Sequence, residues 1–154
     1  MYDALKLLHI LGVILLIGNV TIAAFWKVMA DRTGDPKLIS HAMRNVITAD
    51  WLFTLSAIAM VLIGGYGMAH VGQYDIFQRN WLGYGQLLFL FSGLIWVAVL
   101  LPCQTRLARI ARGLPEQGEI PPDFFRLSRA WLVWGIVATI PRILASFLMV
   151  VKGG

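Results

Sequence analysis

The chain has 154 residues, 58% hydrophobic and only 14% charged, against roughly 45–50% and about 25% in soluble domains. Its net charge of +5 comes without an aromatic-basic groove of the kind that binds nucleic acid, and its single cysteine, Cys103, excludes an intrachain disulfide or a thiolate metal cage. No Walker loop, nucleophile elbow or pair of catalytic carboxylates occurs, which argues against phosphoryl transfer and hydrolysis.

Four apolar stretches dominate, over residues 2–26, 49–69, 81–101 and 130–151. A run of about 20 apolar residues at ~1.5 Å per residue crosses a ~30 Å hydrocarbon core. Backbone groups in lipid must be satisfied within the segment, so these spans are predicted to be helices. The expected fold is all-α: one transmembrane domain over residues 1–154, an integral membrane four-helix bundle with the lipid bilayer as its main partner. The first run exceeds the 7–15 residues or so of a signal-peptide core and is expected to stay in the mature protein.

In chain order, turn signals at Asp31–Pro36 precede a short helical stretch, Lys37–Thr48, and Asp50 begins or caps the second span. That span closes on Gly64, Gly65 and Gly67 beside Tyr66, a composition suited to close packing. The outer connection His70–Asn80 leads to Trp81. The third helix is predicted to leave the membrane as Gln104–Arg112 and to stop at Gly113 and Pro115. Pro121, Pro122 and Asp123 open the fourth. Trp81, Tyr84, Trp131 and Trp134 lie near span ends, where amphipathic rings favour the interface.

Charge orients the spans. Lys27, Arg32, Lys37 and Arg44 fall in or beside the first connection, and Arg106, Arg109, Arg112, Arg126 and Arg129 in the third. Lys6, Arg79 and Lys152 fall on the other side. By the positive-inside rule the connections 27–48 and 102–129 are cytoplasmic and the topology is N-out/C-out.

Polar residues inside spans are costly, about 2.5–3.5 kcal/mol for a mid-bilayer charge, and so form the functional shortlist: His9, Asn19, Asp50, Gln86 and Arg142, with His70 at the rim. At ~1.5 Å per residue, His9 and Gln86 lie roughly 8 Å below the outer boundary and Arg142 roughly 13 Å. Arg142 follows Pro141, whose missing N–H frees the Val137 carbonyl. It either snorkels or caps freed carbonyls, or it binds an anionic group such as a porphyrin propionate or a quinone carbonyl. On a helical wheel Gly12, Leu16, Asn19 and Ala23 share the His9 face, a small-residue face suited to the bundle interior. His9 is either a packing histidine or a haem ligand, with Met68 and His70 as second ligands at the rim. Met1, His9, Met68, His70 and Met149 all map to the outer half, and their soft and imidazole donors suit Cu(I).

Several stretches then carry a resemblance: Lys6-Leu-Leu-His9-Ile-Leu-Gly12, Gly18-Asn19, Ala30–Pro36, Ala49-Asp50-Trp51-Leu52-Phe53 and Met149-Val-Val-Lys152. Across its whole length the chain resembles a bacterial family of predicted integral membrane proteins of unknown function. More distantly it is similar in layout to the CopD-like superfamily, including the HemJ-type protoporphyrinogen oxidases, which open with a Lys-x-x-His helix. That resemblance implies haem b ligation by His9. In those oxidases a His-Ala-Lys run follows Trp-Leu in the third helix. Here Gly83-Tyr84-Gly85 follows Trp81-Leu82, so the oxidase activity is not implied.

The expectation is a redox-associated protein of the bacterial inner membrane with a b-type haem or porphyrin pocket in the outer half. His9 would be the axial ligand and Arg142 the propionate partner, with Asn19 and Gln86 lining the pocket. The competing expectation is a cofactor-free accessory subunit, in a homo-oligomer or beside a partner membrane subunit, in which Gly12, Gly64, Gly65 and Gly93 serve helix packing. Copper handling at the outer face is the third.

Overall fold

The computed structural model describes residues 1–77 and 81–151; Arg79, Asn80 and Lys152 fall outside them. The described residues form helices α1 (Tyr2–Thr33), α2 (Pro36–Ala49), α3 (Leu55–Val71), α4 (Trp81–Ile95), α5 (Leu101–Gln117) and α6 (Pro122–Val151). A π-helical turn, Asp50–Thr54, joins α2 to α3, and another, Trp96–Leu100, joins α4 to α5. Four rods result, and each is long and apolar enough to cross a membrane. The four-span, all-helical prediction agrees with this architecture.

The rods are longer than the spans. At ~1.5 Å per residue α1 reaches about 48 Å, well beyond a ~30 Å hydrocarbon core. Asp50 therefore does not begin a helix as expected: it lies inside the continuous helix Pro36–Val71. The real N-cap is Asp35, whose carboxylate accepts from the backbone N–H of Lys37 at 2.8 Å and Leu38 at 3.4 Å, with Pro36 in the first turn. The expected stop at Gly113 and Pro115 is also displaced. So near a helix end Pro115 removes only one backbone donor, and α5 continues to Gly118, which takes the left-handed cap conformation at φ 71°.

Packing differs between the two ends. At the connection end α2 and α5, the segments outside the predicted spans, bury Ile39, Met43, Leu107, Ala111 and Leu114 against Phe124 of α6. This is a compact apolar core built from the amphipathic parts of the chain. Towards the end that carries the termini, α1 pairs with α3 and α4 pairs with α6, but among the described residues the backbone of α3 approaches neither that of α4 nor that of α6 closely. The two pairs lean apart, and a cavity opens between them.

Glycines set the α1–α3 distance. A Cβ on Gly64 would stand 2.7 Å from the backbone of both Leu5 and His9, and one on Gly12 would stand 2.9 Å from the Val61 nitrogen. Gly93 meets nothing within 4 Å, so the packing role expected of it is not seen.

Candidate functional site

The cavity between the helix pairs has a volume of about 400 Å³, within the ~300–1,000 Å³ of small-molecule sites. Its wall is mostly apolar, from Val13, Leu16, Val61, Phe89 and Ala145 among others. His9, Gln86, Arg142 and Met68, four residues singled out in the sequence, line it together, with Lys6, Tyr66, Ser146 and Met149. No Asp or Glu is among the lining residues. Two cations thus face the space without a carboxylate on its wall.

His9 is held from behind. Its Nδ1 lies 2.9 Å from the Val61 carbonyl, its ring edge sits against Gly65, where a Cβ would stand 3.1 Å from Nδ1, and its backbone and Cβ sit against Gly64. With Nδ1–H donating to that carbonyl, Nε2 carries the free lone pair. A backbone acceptor of this kind commonly fixes the tautomer and orientation of a metal-ligating histidine. The same bond also suits a histidine that only ties two helices together.

Arg142 is 7% exposed. Its Nε donates to the Ser92 hydroxyl at 2.5 Å, and that hydroxyl donates to the Ala138 carbonyl at 2.6 Å, next to the carbonyl freed by Pro141. Ser92, which the sequence did not single out, thus links the arginine to the Ala138 carbonyl, one residue beyond the Val137 carbonyl that Pro141 frees. Among the described residues the guanidinium has no carboxylate within ion-pair distance. Asp50 does not pair with it.

Gln86 is already engaged: it accepts from the Tyr66 hydroxyl at 3.1 Å and donates to the Ile76 carbonyl at 3.1 Å, bracing α3, α4 and their connection at the cavity wall. His70 is exposed and does not line the cavity; nor does Met1, at 87% exposure. The copper set therefore converges only in part, on His9, Met68 and Met149.

Asn19 is also absent from the cavity wall. It lies about 80° from His9 around the helix and ten residues on, about 15 Å along it. There it donates to Thr54 Oγ1 at 3.0 Å; Thr54 donates to Asp50 Oδ1 at 2.9 Å; Gln104 Nε2 donates to Asp50 Oδ2 at 2.8 Å; and Trp131 Nε1 donates to Gln104 Oε1 at 3.2 Å. This buried chain ties all four rods together. Trp131, expected at the lipid interface, is turned into the bundle by it. Thr54→Val, a near-isosteric change at a site 2% exposed, removes a donor from Asp50 and an acceptor from Asn19. The variant is expected to lose about 1–3 kcal/mol in detergent unfolding titrations.

A second polar cluster marks the connection end. Lys27, expected as a topology charge, is 1% exposed. Its Nζ donates to Asp31 Oδ2 at 2.5 Å and to the Ser128 hydroxyl, which in turn donates to Asp31. The ammonium also lies 5.4 Å from the Phe124 ring centroid and 5.5 Å from that of Trp131.

Among the described residues no group of three or more His, Cys, Asp or Glu side chains forms a metal cage. Comparison with curated proteins and with solved structures finds no match. A family model described as "Predicted integral membrane protein (DUF2269)" matches residues 3–153, so the chain belongs to that family of integral membrane proteins.

Proposed function

We propose that the chain is a redox-associated inner-membrane protein of bacteria whose cavity holds a b-type haem, with the termini and the cavity on the outer face. The observation that carries this reading is the convergence of His9 and Arg142, from α1 and α6, on one apolar cavity without an acidic residue on its wall. The donor set suits the group. His9 would offer Nε2 while Val61 holds its other nitrogen, Arg142 and Lys6 would hold the propionates, and Met68 and Met149 would offer thioether donors. A bound haem supplies one-electron chemistry at its iron. The protein's part is to hold the imidazole by the Val61 bond, neutralise the carboxylates and exclude water with its apolar wall. The outward placement of the cavity rests on the basic residues at the opposite end, where Arg32, Lys37, Arg44, Arg106, Arg109, Arg126 and Arg129 meet the positive-inside rule.

The accessory-subunit reading is favoured by one specific feature, the Gly64–His9 contact, which a packing histidine explains without a cofactor. An absorption spectrum separates the two. Protein purified from cells supplied with haem is expected to show a Soret band that shifts on reduction, disappears in His9→Ala and weakens in Arg142→Gln. A colourless, folded wild-type protein would exclude the haem reading and leave the accessory one.

A further inference from the structure

A second cavity, about 290 Å³, lies between α5 and α6 at the opposite end of the bundle, lined by Arg106, Ile110, Asp123, Arg126, Leu127 and Ala130. We infer that it seats the phosphate headgroup of an anionic phospholipid, held between Arg106 and Arg126. The inference is independent of what the first cavity binds and of which face is cytoplasmic.

Depth is the first argument. With the hydrocarbon edge near Leu101 on one rod and Ala130 on the other, Arg106 lies five residues beyond it and Arg126 four. At ~1.5 Å per residue both stand roughly 6–8 Å past the edge. The headgroup layer adds about 5–7 Å on each side of the core. Arg106 and Arg126, from different helices, thus both line the cavity at phosphate depth, while Ala130 and Leu127 continue the wall towards the acyl region.

Chemistry is the second. Arg106 and Arg126 are both exposed, and Arg126 Nη2 lies 3.1 Å from Asp123 Oδ1 in a pair exposed on both sides. Such a pair contributes little, about 0–1 kcal/mol. A guanidinium has five N–H donors, so the contact with Asp123 leaves Arg126 able to donate to a phosphate oxygen. Arg109 and Arg129 are exposed nearby but do not line the cavity. They add to the field at the surface without contributing to the seat.

The test uses the full chain in vesicles of phosphatidylcholine with a minor fraction of phosphatidylglycerol, one or the other nitroxide-labelled, and reads the protein-restricted lipid by electron spin resonance. The wild type is expected to select labelled phosphatidylglycerol over labelled phosphatidylcholine. Arg106→Gln and Arg126→Gln are each expected to lower that preference several-fold, about fivefold at low salt, and the double variant to abolish it. Arg109→Gln is the control and is expected to lose clearly less of it than either seat variant. No selection by the wild type, an unchanged double variant, or an equal loss in Arg109→Gln would overturn the seat. Displacement of the lipid by inorganic phosphate would overturn the lipid as its occupant. All three arginines are exposed, and an unchanged helical circular dichroism spectrum shows that each variant is folded.

Discussion

Lys27→Met is expected to destabilise the protein by about 3–5 kcal/mol. Methionine fills most of the volume but removes the cation from a site that is 1% exposed. It leaves Asp31, with its side chain 14% exposed, as an uncompensated carboxylate whose Oδ1 is buried and has no hydrogen-bond partner among the described residues. Breaking a buried pair on one side costs this much because the remaining charge stays desolvated. The Lys27→Met/Asp31→Leu double variant removes both charges and is expected to recover most of the loss, since a well-packed apolar replacement of a buried pair is often neutral. Unfolding in mixed micelles with increasing sodium dodecyl sulfate measures both. If the double variant is as unstable as Lys27→Met alone, the cost lies in packing against Phe124 and Trp131 instead of in the orphaned charge.

That lysine also shows where the sequence stops being legible. The spans could be read because the bilayer imposes a length on every crossing, and helix rise is fixed. The same constancy places His9, Gln86 and Arg142 at comparable depths, and all three line one cavity. Azimuth without depth misled the reading of Asn19: a helical wheel discards the axial coordinate, and ten residues carry a side chain from the cavity to the Asp50 chain. Distance along the chain hid the rest. Nothing local to Lys27 tells a snorkelling lysine from one that meets Ser128, 101 positions away. Ser92 looks like any serine in a span until Arg142 donates to it from another helix. Trp131 carries the ordinary mark of an interface aromatic, and only the acceptor on Gln104 turns it inward. The splayed helix pairs have no signature of their own; the Gly12 and Gly64 contacts that draw α1 onto α3 are the nearest trace of them.

Those contacts give the second large effect. Gly64→Leu is expected to cost about 3 kcal/mol or more, at or above the top of the usual range for overpacking. The added Cβ alone would stand 2.7 Å from Leu5 O and His9 N and 2.8 Å from His9 Cβ. Two of these are backbone atoms that no rotamer change can move aside, so α1 must separate from α3. Gly93→Ala is the counterpart. Its Cβ meets nothing within 4 Å, and replacing a mid-helix glycine by alanine is expected to stabilise by up to about 1 kcal/mol. Opposite signs for two glycines in the same bundle would show that helix contact, not glycine content, decides the outcome. The change at Gly64 also bears on the cavity. His9 reaches Val61 O at 2.9 Å across the seam that Gly64 closes, so parting the helices frees the imidazole. In Gly64→Ala, where the helices part least, the haem reading predicts a broadened or shifted Soret band together with the lost stability. A variant equally destabilised through Thr54→Val, on the far side of the network, keeps the wild-type spectrum because the His9 seat is intact. Identical spectra in the two variants would separate the α1–α3 seam from the cavity's chemistry.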